Sequence, residues 1–171
     1  MNKEKTMEVA TYIIVPLAMW VVSPLVGKFL DSFYFDFSEI ITSSMPLIIV
    51  GATTLLCGTI LAVWTIYLFK TVGQGTPNPK LPPKTFVVSG PYRYSRNPMA
   101  LGGLLILLGE AAIYYSPSLL GIAMLYGVII YFNAMFVEEP ELKERFGVPY
   151  TDYLKQVPRF FPNPWKGSGK E

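Results

Sequence analysis

Four apolar runs, residues 9–29, 46–69, 99–115 and 118–137, limit what this chain can fold into. About twenty apolar residues in a helix cross a bilayer, and the runs are of that order, the third being the shortest. Only 15% of the 171 residues are charged, against about 25% in soluble domains. Mean hydropathy is +0.39. Such a chain covers its apolar surface with lipid and needs no large internal core. Lys3 and Lys5 ahead of the first run also suit a cleaved signal peptide. That run is too long for one, however, and Pro16 and Pro24 interrupt it with no small-residue cleavage site after it. A retained helix kinked at one proline is the expectation.

The connections carry the polar residues. Residues 31–39 read as a loop with three acids and the belt aromatics Phe33, Tyr34, Phe35 and Phe37. Residues 70–96 hold Lys70, Lys80, Lys84, Arg93 and Arg96 and no acid. The part GQGTPNPKLPP is too rich in Gly and Pro for a helix, whereas KTFVV reads as an ordered, strand-like segment. Gly51 and Gly58 would let a neighbouring helix approach the second run closely. The third run starts with Asn97 as N-cap and Pro98 at the first helical position, and Ser116-Pro117 turns it back into the fourth. Glu110 lies near the far end of the third run and is expected to reach the interface. The tail begins as an amphipathic helix through Phe146, breaks at Gly147 and ends in QVPRFFPNPW, suited to lie on the membrane surface. The Lys/Arg bias places both termini and the long connection on the cytoplasmic side.

Composition excludes much chemistry. The net charge of +2 and the lack of a dense basic run give nucleic acid no purchase. Cys57 is the only cysteine and there is no histidine. A cysteine-built metal site, zinc hydrolase chemistry and a Ser-His-Asp nucleophile are all excluded, and no metal is expected. Carboxylates, Tyr, Lys, Arg, Asn or a bound cofactor must act instead. Two polar islands then stand out on one side of the membrane: VVSGPYRYSRNPM at residues 87–99, and Glu138-Glu139-Pro140-Glu141. Arg93 and Arg96 suit phosphate or carboxylate; a basic turn anchored to lipid headgroups would use the same residue types.

The order V-x-S-G-P-Y-R-Y-x-R-N-P-M, an apolar hairpin, E-E-P-x-L-x-x-x-F-G-x-x-Y-x-x-Y and V-P-R-F-F-P resembles the isoprenylcysteine carboxyl methyltransferase and phospholipid methyltransferase superfamily. These are integral membrane enzymes that use S-adenosylmethionine and release S-adenosylhomocysteine. The resemblance covers residues 76–162. It implies an all-α integral membrane protein of about four transmembrane helices including a C-terminal helical hairpin, with a cytosolic loop and an amphipathic tail. It implies one methyltransferase domain over residues 1–171, with two N-terminal spans in 1–69 and a cofactor-binding catalytic core in 70–171.

By position, the resemblance implies that Lys84, Thr85, Phe86 and Val87 line the cofactor and that Tyr92 contacts it. Asn97-Pro98-Met99-Ala100 occupies the family's His-Pro-x-Tyr cofactor motif, and Glu138 with Glu139 the place of its cofactor-binding glutamates. Asn97 replaces the usual histidine and Ala100 the usual tyrosine. Ala134 stands where the eukaryotic prenylcysteine enzymes carry an arginine for the substrate, so Arg96 or Arg159 is the candidate substitute, and Arg96, Glu138 and Arg159 are the candidate catalytic residues. The expected reaction is methyl transfer to a lipid-like acceptor entering from the bilayer, foremost a prenylcysteine-type carboxylate. The alternatives are a phospholipid amine and a non-catalytic lipid-binding protein of the same fold. A monomer or a homodimer suits either.

Overall fold

The computed structural model describes residues 3–34, 45–76 and 82–161. Among them every regular element is helical and no strand forms. Helix α1 (Lys3–Leu17) passes through a π turn (Ala18–Val22) into α2 (Ser23–Tyr34). Then come α3 (Met45–Thr71), α4 (Pro98–Tyr114) and α5 (Pro117–Asn133). A second π turn (Ala134–Glu138) leads into α6 (Glu139–Phe146), and α7 (Val148–Gln156) follows. The helical stretches Val9–Tyr34, Met45–Thr71 and Pro117–Phe146 are long and apolar enough to cross a membrane. Pro98–Tyr114 is apolar but shorter, with 17 residues that rise roughly 25 Å. The chain is thus an all-α integral membrane protein. Its large apolar side chains face outward, Ile13, Leu25, Ile49 and Met124 among them, as they do on helices solvated by lipid.

A π turn marks the expected disturbance near a proline in the first run, and a second carries the fourth run past its expected end. Each turn ends two residues before a proline. The Ser23 N–H donates five residues back to Ala18 O, and the Glu139 N–H donates likewise to Ala134 O. Pro24 and Pro140 have no N–H with which to continue the ordinary ladder. The register slips by one residue and the helix carries on, so Glu138 and Glu139 lie inside a continuous helix rather than at a break. The break does come at Gly147, between α6 and α7.

The chain packs as two compact units, neither continuous in sequence. The first comprises Met1–Ile60 and Gly102–Gly127. Here α3 and α4 meet through small residues. A Cβ on Gly51 would lie 2.9 Å from Gly109 O, and one on Gly58 2.7 Å from Gly102 O. Backbone contact this close is what glycines at a helix interface permit. Asp31 is buried in α2, not in a loop, and its Oδ1 accepts the Ser118 N–H at 3.0 Å. Together with Ser116 Oγ, which accepts the Leu119 N–H at 3.0 Å, it satisfies the orphan donors at the start of α5. Glu110 is also buried, with Ser23 Oγ 2.7 Å from its Oε2. Phe35, Phe37 and the rest of the acidic loop, Lys80, and the tail beyond residue 161 lie outside the described residues.

The second unit comprises Leu61–Leu101 and Val128–Glu171. Residues 84–88 form no strand. Instead, the Lys84 and Thr85 N–H groups donate to Gly73 O at 2.7 and 3.1 Å, folding the segment back on the end of α3. Its apolar side chains then pack inward. Val87 joins Leu68 and Tyr92 in one core cluster, and Phe86 joins Tyr150, Tyr153 and Val157 in another.

Candidate functional site

The site grows from a tight turn in the second unit. Gly90 opens a short 3₁₀ turn (Gly90–Arg93) at φ +58°, a conformation that glycine adopts without strain. A Cβ there would also press on Leu68 and Trp64, at 3.0 and 3.2 Å. The turn buries Tyr92, whose ring stacks on Phe69 at 5.6 Å between centroids. Tyr153, from α7, donates its hydroxyl to Tyr92 O at 2.6 Å. Burial, then the neighbouring Tyr153 and the charge of Glu138, raise the Tyr92 phenol far above the ordinary tyrosine range. Burial likewise raises Tyr153, and pushes Tyr150 up to about 12. All three phenols therefore stay protonated at neutral pH.

Residues 95–97 are then stitched to residues 158–159. The Arg96 N–H donates to Pro158 O at 3.0 Å and the Asn97 N–H to Arg159 O at 3.1 Å. Asn97 Nδ2 donates to the same Arg159 carbonyl at 3.1 Å, and Ser95 Oγ lies 3.3 Å from it. The Asn97 side chain thus secures the C-terminal segment, while its backbone carbonyl accepts the Leu101 N–H that begins the helix. The stitching brings two guanidinium groups to one carboxylate. Arg159 grips Glu139 through two bonds, Nε to Oε1 at 2.6 Å and Nη2 to Oε2 at 2.9 Å. Arg96 Nη1 reaches Oε1 at 3.0 Å. The hydrogen bond to Glu139 raises the pKa of Arg159 further above its usual range, and its guanidinium sits 5.2 Å from the Tyr131 ring centroid.

Arg96, Asn97, Glu139 and Arg159 are therefore brought into one cluster. Glu138, by contrast, is exposed, with Asn133 Nδ2 donating to its Oε1 at 2.7 Å. Pro98 is buried, and Met99 and Ala100 are half-buried at the start of α4. Lys84 and Thr85 expose their side chains and contribute backbone bonds. The Phe86 ring lies 5.1–5.5 Å from Phe146, Tyr150 and Tyr153 and is occupied in packing. Ala134 is buried at the start of the second π turn. Sequence reasoning overlooked three contributors: Tyr153, Ser95, and Ser89, whose buried Oγ makes no hydrogen bond within the protein. Tyr153 did lie in the Y-x-x-Y repeat, but nothing in the sequence shows that its hydroxyl reaches back some sixty positions.

Three polar side chains keep hydrogen-bonding capacity of the kinds that a cofactor with an ammonium, hydroxyls and a carboxylate would use. Glu138 presents a carboxylate not committed to any arginine, Ser89 an unspent buried hydroxyl, and Asn97 a second amide hydrogen and an acceptor oxygen. No curated protein and no solved structure matches the chain. A family model, phospholipid methyltransferase, matches residues 46–148. That stretch holds the turn, Arg96, Asn97, the α4–α5 hairpin and both glutamates, and stops before Arg159. With more than half of its length matched, the chain belongs to the phospholipid methyltransferase family, within the isoprenylcysteine and phospholipid methyltransferase superfamily, as a membrane methyltransferase of lipid-like acceptors.

Proposed function

We propose that the protein moves a methyl group from S-adenosylmethionine to the carboxylate of a prenylcysteine-type or similar amphiphile held in the bilayer. The observation that carries this reading is the pair of arginines fixed beside the family-matched turn and glutamates. When bound, S-adenosylmethionine supplies an electrophilic methyl on a sulfonium. Glu138 pairs with the ammonium or a ribose hydroxyl. Asn97 offers its remaining amide groups, and the Tyr92 ring faces the cation. Lys84, Thr85, Met99 and Ala100 would line the cofactor, while Phe86, Val87 and Pro98 are occupied in packing and would support that lining, with Glu139 held by Arg96 and Arg159. Those two arginines orient the acceptor carboxylate. Methyl transfer is an in-line displacement, so positioning and exclusion of water provide much of the rate.

A carboxylate is ionised at neutral pH and needs no general base. This agrees with a chain that has no histidine and whose nearby phenols are all held protonated. We place residues 1–171 in one methyltransferase domain, with residues 70–171 as its catalytic core. The basic connection favours a cytoplasmic face for the site and both termini.

The family description favours a second reading, methylation of a phospholipid amine. One experiment separates the two. Membranes containing the protein are incubated with methyl-tritiated S-adenosylmethionine, and the lipid fraction is treated with mild base. Volatile tritiated methanol identifies a methyl ester and supports the carboxylate. Base-stable label identifies N-methylation and replaces the first reading with the second. No label above membranes lacking the protein, with farnesylcysteine and phosphatidylethanolamine both supplied, would sink both.

A further inference from the structure

We propose that Arg96 and Arg159 form a preformed receptor for the anionic group of a single-chain amphiphile, and that Glu139 is its internal occupant, displaced when the amphiphile binds. This rests on the methyltransferase reading above for its biological use, but not for its geometry. The first observation is how the arginines are held. Four hydrogen bonds between residues 95–97 and 158–159, from the Arg96 and Asn97 N–H groups, Asn97 Nδ2 and Ser95 Oγ, fix the two backbones together without Glu139. Its carboxylate is not needed to bring the guanidinium groups into register.

The second observation is charge. Two guanidinium groups meet one carboxylate, so the cluster keeps an excess positive charge. Arg96 Nε, buried, makes no hydrogen bond among the described residues. A buried donor left unmade is costly, and an incoming carboxylate or phosphate can satisfy it together with the fork that Glu139 now takes. The third is where Glu139 sits. It is the first residue after the π turn, where the helix ladder has slipped by one position ahead of Pro140. The bidentate grip of Arg159 on Glu139 is the grip that an acceptor carboxylate would take.

The test uses full-length protein in micelles of an uncharged detergent, with radiolabelled dodecanoate as the probe and equilibrium dialysis as the readout. Glu139→Gln keeps a side chain of the same shape but removes the competing charge. We expect dodecanoate to bind this variant about ten-fold or more tightly than wild type, and a further Arg159→Gln change to erase the gain. Dodecyl phosphate should compete if the receptor takes either anion; dodecanol should not compete. S-adenosylhomocysteine affinity is measured in parallel, and a circular dichroism spectrum matching wild type confirms that the variant is folded. Glu139→Ala serves if the glutamine amide holds the arginines in place, and should tighten dodecanoate likewise. Unchanged or weaker dodecanoate binding in both variants would overturn the proposal and make Glu139 an organiser of the arginines. Tighter S-adenosylhomocysteine binding with no change for dodecanoate would also overturn it, assigning the receptor to the cofactor's carboxylate. Wild-type protein that binds no S-adenosylhomocysteine would defeat the methyltransferase reading alone.

Discussion

Single side chains decide how well the turn holds its shape. Tyr153 is buried, and its hydroxyl donates to Tyr92 O at 2.6 Å. Tyr153→Phe leaves the ring packing on Phe86 but strips a buried carbonyl of its donor. We expect a loss of about 1–3 kcal/mol, read as an earlier midpoint in thermal unfolding, with S-adenosylhomocysteine binding weakened because the turn loosens. An unchanged midpoint would show that another donor takes over. At this scale the sequence was only partly legible. Residue types pointed to Arg96, Asn97, Glu138 and Arg159, since arginines and carboxylates at apolar boundaries are conspicuous. They did not show that Glu139 would be held by both arginines, or that the Asn97 amide would donate to Arg159 O. Those outcomes depend on residues about twenty to sixty positions apart meeting, and no local pattern encodes that.

At the level of elements, the apolar runs told where helices lie because lipid leaves the backbone little alternative. Runs 46–69 and 99–115 reappear as Met45–Thr71 and Pro98–Tyr114. The expected close approach at Gly51 and Gly58 is present between α3 and α4. Gly58→Ala should therefore cost about 1–3 kcal/mol through forced separation. The control is Gly121→Ala, where an added Cβ meets nothing within 4 Å and no loss of thermal stability is expected. Equal destabilisation by both would contradict the packing described. The π turns and the helical placement of Asp31 were not legible. A proline in an apolar run predicts a disturbance, but whether it appears as a kink or as a slipped register depends on the surrounding packing. KTFVV is ordered but not a strand for a related reason: among the described residues no second extended segment pairs with it, so its side chains pack instead. Tyr92, Tyr150 and Tyr153 also give this unit a pH signature. Their phenols titrate higher when folded than the ordinary value near 10, so the folded state resists ionisation and the unfolded state does not. Stability is complete below about pH 10 and should fall as pH rises beyond it. Circular dichroism melts across that range would check the direction; a midpoint that rises with pH would refute it.

For the whole molecule, composition and span pattern gave the class correctly, an all-α membrane protein, and two ordered motifs pointed to the family that the comparison identifies. The acceptor is another matter, because in the function we propose it is set by how charge is shared among Arg96, Glu139 and Arg159, which no local pattern encodes. The central claim is that the cluster around the turn binds S-adenosylmethionine, with Glu138 as the cofactor's anionic partner. The most direct measurement is calorimetric titration of the purified protein with S-adenosylhomocysteine, repeated in lipid nanodiscs and with Glu138→Gln. We expect saturable binding near one site per chain, weakened about ten-fold or more in the variant, since a charge-assisted bond is lost. Wild-type binding with unchanged affinity in Glu138→Gln would contradict the role given to Glu138. No binding in either detergent or nanodiscs would contradict the cofactor site itself.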